Sequence, residues 1–386
     1  MRRCAGRQAI VLVFFMALGL PATAAAAGAA ASPHPYASAR TCSACHQAIH
    51  KYWSESPHAL SASNPVFLET LRRGVETAAD KTAARRECVW CHAPTTLVTN
   101  DFELKDPVSR EGITCDFCHT VADVDMDQQD RPFVTEPGPV KRGPLEYAKS
   151  PAHKTAYSPL HRASPLLCAA CHEWKNTHGV AVLSTYSEWK AGPYPARGVP
   201  CQDCHMGLVP GATVREDIKG TSLRVVNLHR LVGGSARSQL ARGLDLKIES
   251  MTRSGEMADI AVSVTNVAAG HPVPGGLATK SLVLAVGVEA ADGTLQHRQE
   301  RVYRREMKDA QGKVLEDLNA IFAQATSIGI DNRIKPKESR TERFSLPISP
   351  GARALVARLE YRDASDPRGG PKTLLVTETK RDLAPR

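Results

Sequence analysis

Ten cysteines of this 386-residue chain fall in five pairs, each followed at once by histidine. They are Cys42-Ser-Ala-Cys45-His46, Cys88-Val-Trp-Cys91-His92, Cys115-Asp-Phe-Cys118-His119, Cys168-Ala-Ala-Cys171-His172 and Cys201-Gln-Asp-Cys204-His205. Two intervening residues let one turn of chain present both thiols to the vinyl groups of a haem, and the adjacent histidine then sits under the iron as proximal ligand. Two other chemistries use Cys-x-x-Cys. A thioredoxin-like redox pair does not come in fives, and zinc ribbons do not require a histidine after every pair. The spacing therefore predicts five covalently attached haems c, with His46, His92, His119, His172 and His205 as proximal ligands. The motifs are irregularly spaced, which argues against a tandem-repeat array.

Nine histidines remain: His34, His50, His58, His153, His161, His178, His229, His271 and His297. A second imidazole closes an iron to substrate, whereas a missing sixth ligand opens it to chemistry. His58, His153 and His161 each follow a Ser-Pro that starts a turn or a first helical turn, one device used three times to aim an imidazole. His271 lies in Gly270-His271-Pro272-Val273-Pro274-Gly275-Gly276, a loop stiff at its prolines and free at its glycines. His229 precedes Gly233-Gly234. These five are the expected distal ligands. His34 and His297 are expected in solvent, and His50 and His178 beside a haem or exposed.

The elements that must position these groups divide the chain. Residues 1–27 read as a cleaved signal peptide. Arg2, Arg3 and Arg7 precede an apolar run from Ala9 to Leu20, then Pro21 and the alanine-rich sites Ala22-Thr23-Ala24 and Ala25-Ala26-Ala27. An uncleaved anchor is the rival, but Pro21 and the small-residue tail suit a peptidase better than a lipid-facing helix. Cys4 leaves with that segment, and no later stretch has the length and apolarity of a stable membrane span. The expected address is the periplasm, with the cell surface as the other exported destination. Residues 36–235 carry every motif. Helical fragments such as Val66–Arg85 alternate there with Pro/Gly-rich connections such as Val134–Gly143. Only 5% of residues are aromatic, as expected where haems replace part of an apolar core.

Residues 240–386 change to short alternating runs at Leu246–Ser250, Met257–Thr265, Ser281–Glu289, Thr341–Leu346 and Ala354–Tyr361, with Asp292-Gly293 and Pro350-Gly351 marking hairpins. The expected fold class is α+β, a mainly α, loop-rich multihaem domain followed by an immunoglobulin-like β-sandwich. The formal charge of +9 is no evidence for nucleic acid. Without the three leader arginines it falls to about +6, and five ferric haems at about −1 each bring it to roughly +1.

Tyr52-Trp53-Ser54-Glu55-Ser56-Pro57-His58-Ala59, Tyr186-Ser187-Glu188-Trp189 and Gly198-Val199-Pro200-Cys201-Gln202-Asp203-Cys204-His205-Met206 resemble the multihaem cytochromes c related to the tetrahaem cytochrome of ammonia oxidisers, and more distantly hydroxylamine oxidoreductase. The resemblance covers most of residues 40–280. It implies haems in close stacked or perpendicular pairs, with His58 as a distal ligand. Five motifs rather than four or eight depart from the pattern. No Cys-x-x-Cys-Lys occurs, so the lysine-ligated haem of ammonia-forming nitrite reductases is not indicated. The expected function is electron transfer through closely packed, mostly bis-His haems in a respiratory or extracellular chain. Its partners are other redox proteins: cytochromes, quinol-oxidising modules or terminal reductases. The alternative is a multihaem oxidoreductase acting on a small nitrogen or sulfur compound at one open haem, with His50, His178, Tyr157 and Arg162 available to line a pocket. A third expectation, compatible with the first, is a protomer of a cytochrome assembly that docks through the β module.

Overall fold

Local signals explain where the helices of the first half begin. The computed structural model describes residues 34–234 and 236–383, so the expected leader at 1–27 lies outside it. Asn64 caps helix Pro65–Thr77, accepting from the Val66 and Phe67 amides, and Pro65 fills the first helical turn, where an N–H would have no partner. Phe67, Leu71 and Val75 recur every four residues along its buried face. The expected single helix Val66–Arg85 is in fact two. Asp80 adopts an extended conformation and caps a new helix, Lys81–His92, because a short acidic side chain competes better as a cap than as a helix interior.

Every attachment motif lies on a short helix or its end. Lys81–His92, Leu166–His172 and Cys201–His205 each finish on the motif histidine. Cys115–Thr120, capped by Thr114, carries His119 in its last turn. In the first motif His46 N donates to Cys42 O at 2.9 Å, so the turn begun by Ala39–Ser43 continues through the motif. The intervening residues anchor these turns. Val89, Trp90, Asp116, Phe117, Ala169, Ala170 and Gln202 are all buried. Trp90, Phe117 and Ala170 share a core with Tyr36, Leu97 and Phe133, against which Cys91, Cys118 and Cys171 pack. Short two-stranded ribbons fill the connections, including Val121–Val124 with Phe133–Thr135 and Val140–Gly143 with Lys154–Tyr157. The expected irregular connection Val134–Gly143 therefore supplies parts of two strands.

After helix Arg237–Gly243 the chain is mainly strands. Met257–Asn266 pairs antiparallel with Leu244–Ser254 on one side and Ser339–Pro347 on the other. A second sheet has Lys280–Glu289 between Leu295–Lys308 and Ala354–Asp363, extended by Lys372–Asp382 on one side and by Val314–Leu315 and Ser327–Asp331 on the other. Ile260, Val262 and Val264 alternate along one sheet and share a core with Leu282, Leu284, Val286, Leu355 and Leu359 of the other. Asp292-Gly293 closes a hairpin, as expected. Pro350-Gly351 does not: it links strands in different sheets.

The two halves share a core. Val182 packs with Met307, Leu315, Ile321 and Ala325, flanked by Trp174 and Phe322. Asn176 Nδ2 donates to Ala325 O at 2.7 Å across the same seam. Among the described residues no helix is long and apolar enough to cross a membrane.

Candidate functional site

The Ser-Pro device works through its serine. Ser56 Oγ accepts from Ala59 N at 3.1 Å, Ser150 Oγ from His153 N at 3.4 Å and Ser158 Oγ from His161 N at 3.4 Å. The His58 turn is closed further by Ile113 N, which donates to His58 O at 3.0 Å, and by Trp53 Nε1, which donates to Ile113 O at 2.9 Å. His271 is held by its loop, where Asn266 Nδ2 donates to His271 O at 3.1 Å and Val273 and Ile334 exchange two backbone bonds at 3.0 Å.

Three histidine pairs face each other at a distance that fits a metal between them. Two imidazoles across one metal, each with a metal–nitrogen bond of about 2.0–2.1 Å, place their ring centroids roughly 6.2–6.4 Å apart. His46 and His153 are 6.3 Å apart, His58 and His172 6.4 Å, and His119 and His229 6.4 Å. His205 has His271, His58 and His172 in its electrostatic neighbourhood.

The ring nitrogens agree with this arrangement. Nδ1 of His46, His92, His119 and His205 bonds the carbonyl oxygens of Thr213, Ser61, Arg142 and Val232 at 2.6, 3.0, 2.5 and 2.8 Å. Nδ1 of His153, His229 and His271 bonds those of Lys154, Asn227 and Pro272 at 3.0, 2.7 and 3.0 Å. A carbonyl oxygen only accepts, so Nδ1 carries the proton and Nε2 keeps its lone pair for a metal. Burial favours the neutral form of six rings of the set. It is the main cause that pushes His58, His172 and His229 down to about 4 and lowers His92, His119 and His271.

His161 differs. Its ring lies 5.6 Å from His119, but Nδ1 bonds Ser158 Oγ at 2.8 Å and Nε2 meets Cys118 O at 2.7 Å. Both nitrogens are engaged by protein, whereas the Nε2 of His229, on the same partner, is not in such a bond. His92 differs as well. Phe67 stacks on its ring at 3.7 Å and 8°. Among the described residues no second imidazole ring pairs with it.

The remaining histidines scatter. His34, expected in solvent, is buried beside Tyr36, with Nδ1 3.1 Å from Tyr36 O. His297 is exposed, as expected. His50 packs on Trp53 at 5.5 Å, and His178, Tyr157 and Arg162 are exposed. These do not gather into a pocket.

Thiols of different motifs lie near one another. Cys42 and Cys115, Cys91 and Cys171, and Cys168 and Cys201 are near enough to act on one another's ionisation, as are Cys118 and Cys171. The five attachment sites thus form one connected set, with the fourth next to the second, third and fifth. Paired thiols on one helical turn, a histidine beside them and a facing imidazole with a free Nε2 fit haem c. Sequence reasoning missed Phe67 and the bridging residues Glu188, Arg305 and Arg333. Glu188 stands within a family-like stretch, but no sequence signal marks the two arginines.

The family model described as cytochrome c554 and c-prime matches residues 41–120, which contain the first three motifs. Among solved structures, a penta-heme cytochrome c552 from Thermochromatium tepidum is 20% identical, covering 91% of this chain and 100% of that one with a TM-score of 0.73. That likeness is one of fold. A β-glucosidase from Kluyveromyces marxianus (12% identity, 36% of this chain and 15% of that one, TM-score 0.16) and β-glucosidase 3B from Thermotoga neapolitana (15%, 36%, 17%, TM-score 0.14) carry no weight. No curated protein matches. The family match supports a cytochrome c with covalently bound haem, an electron-transfer protein, and the shared fold is that of a penta-heme cytochrome. They do not extend the resemblance to hydroxylamine oxidoreductase.

Proposed function

We propose that the chain is an exported, periplasmic pentahaem cytochrome c that carries electrons between redox proteins of a respiratory or extracellular chain. The nearness of thiols from separate motifs carries this reading, because neighbouring attachment sites hold haems close enough for electrons to pass from one to the next. Bound haem supplies the one-electron couple; the protein sets its ligands, burial and hydrogen bonds. Cys42/Cys45, Cys88/Cys91, Cys115/Cys118, Cys168/Cys171 and Cys201/Cys204 would hold the five haems. His46 with His153, His119 with His229, His172 with His58 and His205 with His271 would bracket four irons. His161 then serves as a structural partner of Cys118 and Ser158 rather than as a ligand. The β half, an immunoglobulin-like module in this reading, fastens to the haem half through His271.

One observation favours a second reading. Among the described residues no imidazole ring is paired with His92, whose face is covered by Phe67, so the iron at Cys88/Cys91 has no assigned distal histidine. An open iron permits chemistry on a small nitrogen or sulfur compound. EPR and CO titration of the holoprotein separate the two readings. Four low-spin haems, one CO-binding haem and no turnover of nitrite or hydroxylamine support the carrier. Sustained turnover of either compound overturns it in favour of the enzyme.

A further inference from the structure

Glu188, in helix Thr185–Lys190, meets two arginines from the β half. Its Oε1 accepts from Arg333 Nη2 at 2.6 Å and from Arg305 Nη1 at 3.4 Å. Both guanidinium groups are almost wholly buried, at 3% and 4% exposed. Each also reaches the loop that carries His271. Arg305 Nη2 donates to Gly276 O at 3.2 Å and, on the haem side, to Val182 O at 2.8 Å. Arg333 Nη1 donates to Pro274 O at 3.4 Å, while its Nε and Nη2 bond Asp331 at 2.8 and 2.7 Å. Two carboxylates balance two guanidiniums. Glu188 Oε2 and Arg305 Nε are buried without a protein partner.

We infer that Glu188, Arg305 and Arg333 form a buried clasp that positions His271 on the iron above His205 and tunes that haem's potential; the inference rests on the reading of His271 as its distal ligand. A buried ion pair contributes little to stability by itself, but removing one member leaves an uncompensated charge in a low-dielectric site. Here that charge stands beside one haem. Loss of the Glu188 charge leaves net positive charge there, which favours the reduced iron. The clasp also joins the halves at the point where the ligand loop crosses between them. A shift of the β half therefore moves Pro274 and Gly276, and with them the imidazole.

The test uses haem-loaded full-length protein, followed by spectroelectrochemistry and EPR. In Glu188→Gln one haem of the set is expected to shift to higher potential while the others stay in place, and Glu188→Asp, which keeps the charge, is expected to hold that haem close to its wild-type potential. If Glu188→Gln does not accumulate haem-loaded protein, Arg333→Lys decides. It keeps the charge but loses the fork to Asp331, Glu188 and Pro274, and is expected to alter one low-spin EPR signal. His271→Ala separates the two layers of the inference. All five haems unchanged there overturns the ligand assignment. One haem turned high-spin there, with Glu188→Gln and Arg333→Lys both matching wild type in potential and EPR, overturns the clasp alone.

Discussion

Gly275→Ala places a methyl group against the His271 ring. A Cβ at this position would lie 2.6 Å from His271 Cε1 and 2.8 Å from Nδ1. Non-bonded carbons settle at roughly 3.5 Å or more, so the ring must retreat by about 0.9 Å. A metal–imidazole bond holds its length to within about 0.2 Å. The loop has little room to move instead, because Asn266 holds His271 O at 3.1 Å and Val273 is paired with Ile334 at 3.0 Å. The alanine therefore detaches His271 from the iron without touching any cysteine or proximal histidine. EPR of the oxidised holoprotein should show one low-spin haem fewer than wild type, and the reduced protein should bind one additional CO per chain. A variant with the full low-spin complement and unchanged CO stoichiometry would refute both the ligand role and the rigidity ascribed to the loop.

Other substitutions separate ligands from neighbours. His229→Ala should turn one haem high-spin, whereas His161→Ala should leave the EPR signals intact and cost about 1–3 kcal/mol through the unpaired Ser158 and Cys118 groups, read by denaturant unfolding. Phe67→Ala removes a buried ring stacked on His92 and should destabilise by about 3–5 kcal/mol while leaving all five thioether attachments in place by mass spectrometry. By contrast, Arg73→Ala, which breaks the half-exposed pair with Asp317, should cost no more than about 1 kcal/mol in the same unfolding assay.

The attachment chemistry was legible because it is local: five motifs declare themselves by residue type and spacing alone. The Ser-Pro-His and Ser-Pro-x-His turns were legible for the same reason, since a serine cap acts within three residues. What stayed hidden is long-range. Nothing within the Ser158–His161 turn reveals that Cys118 O, 43 positions away, will occupy Nε2 of His161. Nor could the sequence show that His229, rather than His161, stands at the metal-bracketing distance from His119. In the β half the alternating strands were visible. Leu295–Lys308 was not, because arginines and glutamates in cross-strand ladders, such as Arg298 and Arg362 with Glu300 and Glu360, interrupt its apolar pattern. The leader at 1–27 remains a reading of sequence alone.

The central claim is a single connected array of five redox centres on one chain. Coulometric reductive titration of the purified holoprotein, followed through the haem c absorption bands, counts them directly. Uptake of five electrons per chain, with every haem equilibrating through one protein, is the expected result. Uptake of fewer than five, or a fraction of the haem that never reduces while the rest does, would contradict it.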